Sequence, residues 1–314
     1  MVYDLIIVGG AAAGMTAAIY ATRRALKTVV LTQDIGGQAA TTPDIENYPG
    51  FSRVDGLELM QKFQQQAVSS GAEFAYGEVT SISRQGDTFA VRQGDQEYRG
   101  RAVILAYGLT HRHIGAPGED TFTGKGVSYC ATCDAPLYRG KDVAVVGGGN
   151  SALDAALLLS KIARRVYLLV RNDRLRGEAV LISRVQDCAN VTVLFQTTVK
   201  SIDGTTVVER ITVADVSAGQ DRPIAVSGVF VEIGFQVRSD LVKDLVQLDA
   251  NSQIVVSPSG ETSVPGIFAA GDVTNTPYKQ IVISAGEGAK AALQAYQYLN
   301  GGKPGGVDWG LKKK

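Results

Sequence analysis

The stretch "YDLIIVGGAAAGMTAAIYATRRA", residues 3–25, contains a short apolar run of β type, a glycine turn and an alanine-rich helical pattern that begins near Ala13. Residues 141–170, "KDVAVVGGGNSALDAALLLSKIARRVYLLV", repeat this design and add a second strand over 166–170. In such a unit the glycine turn lets the backbone approach a pyrophosphate, and the helix N-terminus contributes free N–H groups. The sequence therefore predicts an α/β chain with two Rossmann-like dinucleotide-binding domains.

The length of 314 residues also favours two domains. The final third contains "VPGIFAAGDV" (264–273), followed by a helical pattern from about Ser284 to Leu299. A strand that ends in Ala-Gly-Asp before a helix indicates another backbone turn directed at a ligand. We therefore expect this segment to complete a discontinuous first domain. Residues 1–114 plus 246–314 would form that domain, and residues 115–245 the second.

Composition and charge are typical of a globular enzyme. Lys and Arg number 31, and Asp and Glu also number 31, so no basic surplus attracts nucleic acid. Hydrophobic residues make up 45% of the chain, which argues against disorder. The first ten residues include Asp4, and their apolar run is too short for a signal peptide or a membrane span. We expect a cytoplasmic protein without a membrane span.

The paired cysteines are the most informative chemical feature. Cys130 and Cys133 form a CxxC motif that Asp134 follows directly, whereas Cys188 stands alone and is predicted to have no role. Three cysteines are too few for a secreted disulfide framework. A CxxC pair can close a small disulfide ring, and a carboxyl group beside a dithiol can act as general acid and base. The motif favours a redox pair.

An inert pair or half of a zinc site is the alternative reading of the two cysteines. A zinc site needs four ligands at characteristic spacing, and His111 and His113 are the only histidines in the chain. Their "HRH" arrangement fits no zinc-finger pattern. The sequence therefore gives no metal site.

The first glycine motif departs from the usual GxGxxG pattern. It runs from Gly9 to Gly14 and has Ala11 where the second glycine normally meets the phosphates. Thr32 stands where an acid is expected to hold a ribose. A generic strand-to-helix turn is the alternative, but the strand before it, the small-residue helix after it and the repetition at Gly147 favour nucleotide binding.

Five motifs in a fixed order give the chain a family resemblance over nearly its whole length. They are "GGQAATTPDIENYPGF" (36–51), "VSYCATCD" (127–134), "VAVVGGGNSA" (143–152), "VFVEIGF" (229–235) and "VPGIFAAGDVTNTPYKQIVISAGEGAKAA" (264–292). The chain resembles the low-molecular-weight thioredoxin reductases, which are FAD-dependent pyridine-nucleotide-disulfide oxidoreductases. The resemblance implies two domains of the three-layer ββα type, which rotate relative to each other, and a homodimer.

The resemblance also implies roles for individual residues. Cys133 would lie against the flavin, Cys130 would attack the disulfide of the partner protein, and Asp134 would be the acid. A carboxylate such as that of Asp272 can accept a hydrogen bond from a ribityl hydroxyl. The residues implied to hold FAD are Gly9, Ala11, Gly14, Gly37, Gln38, Asn47, Ala106, Asp272, Lys279 and Gln280.

The second domain departs from the family where NADPH would bind. Val170 and Asn172 replace a histidine and an arginine of the cluster that clamps the 2′-phosphate, and Asp154 and Ala155 replace a Glu-Glu pair. Lys279, in the first domain, also replaces an arginine. The residues implied to hold a second dinucleotide are Gly147, Gly149, Asn150, Ser151, Arg171 and Arg176.

Two hypotheses explain these departures. In the first, Arg174 substitutes for the missing arginine and the donor is NADPH. In the second, the donor is ferredoxin or another non-NADPH reductant, and the second dinucleotide is either NADPH or another FAD. The intact glycine turn favours some bound dinucleotide over an empty domain.

The C-terminal segment "GGKPGGVDWGLKKK" (301–314) contains Trp309, the only tryptophan. It is either a flexible extension or a flavin cover in which the Trp309 ring stacks on the isoalloxazine.

The predicted function is electron transfer between FAD and the Cys130–Cys133 disulfide, and onward to a protein disulfide such as that of thioredoxin. A flavin oxidoreductase with incidental cysteines and a nucleotide-binding redox sensor are the alternatives.

Overall fold

The computed structural model describes residues 1–42, 45–215 and 219–301, and the chain divides into two compact units. Unit 1 comprises Met1–Thr110 and the chain from Gln236 onward, and unit 2 comprises His111–Phe235. The boundaries predicted from the sequence, 114/115 and 245/246, lie later in the chain than these divisions.

The first segment of unit 1 contains six strands and three helices. They are β1 (Val2–Val8), α1 (Ala12–Thr22), β2 (Thr28–Thr32), α2 (Gly37–Ala40), α3 (Gly56–Ser69), β3 (Glu73–Tyr76), β4 (Val79–Gln85), β5 (Thr88–Gln93) and β6 (Gln96–Leu105).

Unit 2 begins and ends on two short strands that pair with each other, β7 and β16, which each extend one residue into unit 1. The elements are β7 (Thr110–His111), α4 (Glu119–Phe122), β8 (Val127–Ser128), α5 (Ala131–Asp134), a 3-10 turn (Ala135–Tyr138), β9 (Asp142–Val146), α6 (Asn150–Ser160), β10 (Arg165–Leu169), α7 (Ala179–Gln186), β11 (Val191–Leu194), β12 (Thr197–Gly204), β13 (Val208–Asp215), β14 (Gln220–Ala225), β15 (Gly228–Val231) and β16 (Phe235–Gln236).

The second segment of unit 1 is mostly irregular before its final helix. It contains a 3-10 turn (Ser239–Leu241), β17 (Ile267–Ala269) and α8 (Ile281–Leu299). The helix begins earlier than the predicted Ser284 because Gln280, in extended conformation, is its N-cap residue.

The sheet of unit 1 has seven strands in the order β3-β2-β1-β6-β5-β4, with β17 also paired to β6. Strands β1, β2, β3, β6 and β17 are parallel, and β4 to β6 form an antiparallel meander. Alternate residues of β1 face opposite sides of the sheet, as the period of two requires. Leu5 and Ile7 pack with alanines of α1 and α8, whereas Ile6 and Val8 pack with the meander.

Helices α1 and α8 pack closely because both present small residues. A side chain at Gly288 would overlap the carbonyl oxygen of Ala13, so this contact requires glycine. Close packing of this kind brings the N-terminal turns of both helices to the same edge of the sheet.

Unit 2 has a five-stranded parallel sheet in the order β11-β10-β9-β15-β8, covered on one face by a three-stranded sheet, β12-β13-β14. The other face packs against α6 and α7. The predicted fold class, two Rossmann-like domains of the α/β type, is confirmed. Among the helices that the structure describes, none combines the length and the apolar character needed to cross a bilayer.

Candidate redox and dinucleotide sites

The functional residues of unit 2 lie in a row at the carboxyl ends of its parallel strands. The neighbouring strands β8, β15, β9 and β10 lie side by side in that order. Their carboxyl ends lead to Cys130, Glu232, Gly147 and Val170, respectively. Parallel strands place these ends at one edge of the sheet, where α/β folds bind ligands.

The redox turn, residues 128–134, holds the two cysteines as a disulfide with a Cα–Cα distance of 5.4 Å. Cys130 is the N-cap residue of α5, and its sulfur accepts a hydrogen bond from the Cys133 backbone N–H at 3.2 Å. The Ser128 hydroxyl accepts from the Cys130 N–H at 3.1 Å and donates to the Cys130 carbonyl at 3.2 Å. Cys133 is exposed, whereas Cys130 and Asp134 are partly buried. The structure therefore brings the three predicted catalytic residues into one turn.

Glu232 was not among the residues predicted from the sequence. It follows β15 directly, and burial raises the pKa of its carboxyl group to about 7. The nearby backbone N–H of Ala131, in the redox turn, opposes this rise, and the charge of Asp154 adds to it. An acid that directly follows the apolar strand "GVFV" was the signal available in the sequence.

The second glycine turn has the backbone shape of a phosphate-binding loop. Gly147 has φ +146°, and a side chain there would overlap the carbonyl oxygen of Glu232. Gly149 is the N-cap residue of α6, no side chain caps the helix, and the space around this glycine is open. The first-turn N–H groups can therefore receive an anion.

The side chains that follow Gly149 differ in their availability to a ligand. Asn150 donates to the Glu178 carboxylate at 3.1 Å and accepts from the Glu178 N–H at 2.8 Å. Its amide is therefore held by an acid, whereas Ser151 is exposed. Asp154, one turn further along α6, has its pKa raised by burial and by Glu178, with Arg184 opposing the rise.

The phosphate clamp of the second site is incomplete. Val170 is 1% exposed and packs against the turn, 2.9 Å from the position that a side chain on Gly148 would occupy. The guanidinium groups that follow are exposed, and within the described part of the chain none of them forms an ion pair. They belong to Arg171, Arg174 and Arg176.

The first glycine turn of unit 1 is constructed in the same way. Gly9 has φ +117°, and a side chain there would overlap the carbonyl oxygen of Ala106, the buried residue that follows β6. A side chain on Gly14 would overlap the carbonyl oxygen of Gly9. Ala11 is the N-cap residue of α1 in extended conformation, with φ −109°, so alanine is tolerated where the usual motif has glycine.

A second loop of unit 1 packs on this turn. The Gly36 N–H donates to the Gly10 carbonyl at 2.8 Å, and a side chain on Gly37 would meet Ala11 at 3.7 Å. Gln38 follows in the short helix α2. The Asp34 carboxylate, two residues beyond Thr32, accepts from the Gly37 N–H at 3.1 Å.

Polar side chains gather around the N-terminus of α8. Asp272 accepts from the Ser284 hydroxyl at 3.0 Å, and Asn47 donates its amide to Gln280 at 3.0 Å. Lys279 donates to the Thr274 carbonyl at 2.6 Å.

The two charged groups of this cluster have shifted pKa values. Burial raises the pKa of Asp272, and the Ser284 hydroxyl and the charge of Lys279 oppose this rise. Burial lowers the pKa of Lys279, and the charge of Asp272 opposes this fall. A glycine-lined turn, an uncapped α1 and a partly desolvated carboxylate together fit the pyrophosphate and hydroxyl groups of an FAD.

Cys188, which is predicted to have no role, is free and partly buried, and its thiol donates to the Arg184 carbonyl at 3.3 Å. Trp309 lies outside the described residues. Within the described residues, no group of three or more His, Cys, Asp or Glu side chains could hold a metal ion.

Comparisons with known proteins agree with this geometry. Residues 3–290 match the family described as pyridine nucleotide-disulphide oxidoreductase. A thioredoxin reductase of Treponema pallidum is 41% identical over 300 residues, which cover 95% of this chain and 97% of the relative. The crystal structure of Lactococcus lactis thioredoxin reductase superimposes with a TM-score of 0.83 at 35% identity, covering 95% of this chain and 99% of that one.

A ferredoxin-flavin thioredoxin reductase of Clostridium acetobutylicum is also similar in structure. Its TM-score is 0.53 at 32% identity, covering 95% of this chain and 98% of the other. Both similarities extend over almost the full length of each chain. The chain therefore belongs to the pyridine nucleotide-disulphide oxidoreductases, and among them to the low-molecular-weight thioredoxin reductases, a family of FAD-dependent disulfide oxidoreductases.

Proposed function

We propose that FAD held by unit 1 reduces the Cys130–Cys133 disulfide and that the resulting dithiol reduces a protein disulfide of the thioredoxin type. The observation that carries this proposal is the closed disulfide at the carboxyl edge of the unit 2 sheet, with Cys133 exposed and Asp134 beside it. When bound, FAD supplies the electron pair that breaks the sulfur–sulfur bond.

The contacts of the redox turn support separate roles for its two sulfurs. The Cys133 N–H that donates to the Cys130 sulfur stabilises negative charge there after reduction, because a thiolate accepts hydrogen bonds more strongly than a thiol. Cys130 is therefore proposed as the nucleophile that attacks the partner disulfide, and Cys133 as the residue that exchanges electrons with the flavin. Cys133 then attacks the mixed disulfide, and Asp134 supplies the proton to the departing thiolate.

The residues proposed to hold FAD are those that the structure gathers at the carboxyl edge of the unit 1 sheet. The uncapped first turn of α1 would receive the pyrophosphate, and Asp272 would accept from a ribityl hydroxyl. Their full set is Gly9, Ala11, Gly14, Gly37, Gln38, Asn47, Ala106, Asp272, Lys279 and Gln280.

We further propose that the electron donor is not NADPH. The observation in favour is the donor edge of unit 2, where apolar Val170 is buried against the glycine turn and Glu178 occupies the Asn150 amide. Carboxylates disfavour the 2′-phosphate of NADPH by like-charge repulsion. Ferredoxin is the donor class that this favours, and Gly147, Gly149 and Ser151 could still bind a second FAD.

NADPH is the competing donor, because the three exposed guanidinium groups of Arg171, Arg174 and Arg176 have no carboxylate partner among the described residues and could bind a phosphate.

Two further expectations follow from the family, a homodimer and a cytoplasmic location.

Cysteine replacement tests the electron route. Cys130→Ser and Cys133→Ser should each lower the reduction of thioredoxin about a thousandfold or more, since the disulfide exchange needs both sulfurs. Cys188→Ser is the matched control and should retain full turnover. Retained turnover in either of the first two variants would overturn the proposal.

The donor is tested by anaerobic titration of the flavin. Reduced ferredoxin should bleach the bound flavin rapidly and NADPH slowly, and cofactors released on denaturation should be counted per chain. Rapid bleaching by NADPH with one FAD per chain would instead assign the ordinary NADPH-dependent reductase.

A further inference from the structure

Glu232 lies between the redox turn and the second glycine turn. Strand β15 pairs in parallel with β8 on one side, Phe230 opposite Ser128, and with β9 on the other, Val231 opposite Val146. The Glu232 N–H continues the ladder by donating to the Val146 carbonyl at 2.8 Å. Glu232 thus lies just beyond the carboxyl end of β15, where β8 and β9 also end, and the sheet fixes its backbone position.

Glu232 lies beside the redox turn. It is two residues beyond Phe230, as Cys130 is two residues beyond its partner Ser128, so the strand register sets Glu232 level with Cys130. The nearby backbone N–H of Ala131, which follows Cys130 and is 5% exposed, favours the charged carboxylate. Two residues beyond Ala131, the Cys133 N–H donates to the Cys130 sulfur. The carboxylate and the sulfur therefore both lie beside backbone N–H groups of the same turn.

The charge of Glu232 is poorly compensated. The groups that face it are the Ala131 N–H from α5 and the Asp154 carboxylate from α6, and no Lys, Arg or His forms an ion pair with it among the described residues. Glu119, a buried acid of the same unit, accepts three hydrogen bonds, from the N–H groups of Ile114 and Gly115 and from the Tyr129 hydroxyl. A half-buried acid with one donor and an acidic neighbour is close to the balance between its charged and neutral forms.

We propose that Glu232 is a positioning residue that takes up a proton when the Cys130–Cys133 disulfide is reduced and releases it when the pair is reoxidised. The proposal rests on the proposed function, because it assumes that the disulfide cycles. Reduction breaks the sulfur–sulfur bond with two electrons from FAD and leaves negative charge at Cys130, one residue from Ala131. Two negative charges on one turn repel each other, so Glu232 becomes protonated.

The reverse step balances in the same way. When the Cys130 thiolate attacks the partner disulfide, its electron pair forms the mixed disulfide and the negative charge leaves the turn. The proton on Glu232 then returns to solvent. Proton uptake on reduction and proton release on oxidation therefore follow the electrons through unit 2.

The test is the pH dependence of the disulfide equilibrium in the holoenzyme. Wild type and Glu232→Gln are equilibrated with reduced and oxidised dithiothreitol from pH 5.5 to 9, and the free thiols are counted by alkylation. The logarithm of the equilibrium constant for reduction of the pair should have a slope against pH near pH 7 that is about 0.5 more negative in wild type than in Glu232→Gln, a threefold difference per pH unit that corresponds to about half a proton. Glutamine retains a carbonyl oxygen beside the Ala131 N–H, so the change isolates the proton.

Asp142→Asn is the matched control, since Asp142 is an acid at the opposite end of β9, and it should retain the wild-type slope. A slope in Glu232→Gln equal to that of wild type overturns the proposal. Failure of the pair to exchange with dithiothreitol overturns the proposed function as well, so the two failures are distinguishable.

A second measurement does not depend on the variant folding. The reduced-minus-oxidised infrared spectrum of the wild type should show the gain of a protonated carboxyl band near neutral pH. Absence of that band overturns the proposal, and its loss in Glu232→Gln assigns it to this residue.

Discussion

The glycine turns after β1 and after β9 begin alike and then diverge. In both, the first glycine has positive φ, +117° at Gly9 and +146° at Gly147, and lies against the carbonyl of the residue that directly follows a neighbouring strand, Ala106 after β6 and Glu232 after β15. In both, the following helix starts without a side-chain cap among the described residues. The shared part is the backbone shape that a pyrophosphate requires. This backbone shape alone therefore does not determine which cofactor a turn binds or which chemistry takes place beside it.

The surroundings of the two turns carry the difference. In unit 1 the acid Asp272 is offset by Lys279 and a hydroxyl. In unit 2 the acids around the turn are Asp154, Glu178 and Glu232. The disulfide follows β8, which is separated from β9 by β15. Unit 1 is therefore suited to hold a cofactor tightly, and unit 2 to exchange electrons and protons.

The largest effect is expected from Gly9→Ala. The methyl group would overlap the Ala106 carbonyl and force an alanine into positive φ, which together should destabilise unit 1 by about 2–4 kcal/mol and abolish FAD retention. The measurement is flavin absorbance per chain after desalting, together with thermal unfolding. Gly147→Ala imposes the same kind of backbone strain on unit 2 and should retain the flavin of unit 1. A wild-type flavin content in Gly9→Ala would show that the first turn does not hold FAD.

Asp272→Asn tests the charge balance of unit 1. Because burial raises its pKa, the folded state binds the proton of Asp272 more tightly than the unfolded state. The stability of the FAD-free chain should therefore fall as pH rises through the ordinary carboxyl range towards the raised pKa. The asparagine variant should lose this slope, gain about 2–4 °C in Tm at neutral pH without FAD, and bind FAD more weakly. A parallel pH profile of Tm in both proteins would contradict the assignment.

Gly149→Ala separates binding from stability in unit 2. Its φ of −96° suits alanine and no atom lies within 4 Å of the added methyl group, so the free energy of unfolding should change by less than about 1 kcal/mol. The methyl group nevertheless projects at the uncapped N-terminus of α6, and affinity for a second dinucleotide should fall about tenfold. Titration calorimetry with NADPH and with FAD measures this. Unchanged affinity for both would exclude the second turn as a ligand site.

The smallest effects are expected from the ion pairs at the starts of the two leading strands. Asp4 of β1 pairs with Arg101 at 3.1 Å, and Asp142 of β9 pairs with Arg164 through two bonds at 2.8 and 2.9 Å. Replacing either acid by asparagine should lower Tm by less than about 2 °C, with the larger change at Asp142.

Salt and pH distinguish this effect from packing. The decreases in Tm that the two asparagine variants show should vanish in high salt, where surface charges are screened. The hydrogen bond from Arg164 holds the pKa of Asp142 below its usual range, so its contribution is present above that range and disappears as pH falls through the lowered pKa. An effect at Asp142 that is insensitive to both salt and acid would indicate a packing role.

The fold was accessible from the sequence because its signals are local. The apolar run before Gly9 and the one before Gly147 each predict a strand, and both strands are observed. The helical pattern predicted from about Ala13 is α1, which begins at Ala12, and the repeat of this design after Gly147 contains α6. The redox pair was equally accessible, since a CxxC spacing constrains its two sulfurs without help from the rest of the chain.

The residues that sequence reasoning missed depend on strand order. Glu232 is far from Cys130 in sequence, and only the placement of β15 between β8 and β9 brings its carboxylate to the redox turn. The contact of Asp34 with the Gly37 N–H depends in the same way on the path of the loop. Pairing order and loop path are non-local properties that periodicity does not encode.

The discontinuity of unit 1 has a consequence for the order of events at the ribosome. Unit 2 is one continuous segment, whereas the sheet of unit 1 gains β17 beside β6 only after unit 2 has been synthesised. Asp272, Gln280 and the Gly288 contact with Ala13 emerge later still. Unit 2 can therefore fold while β17 and α8, which complete unit 1, are still to be synthesised.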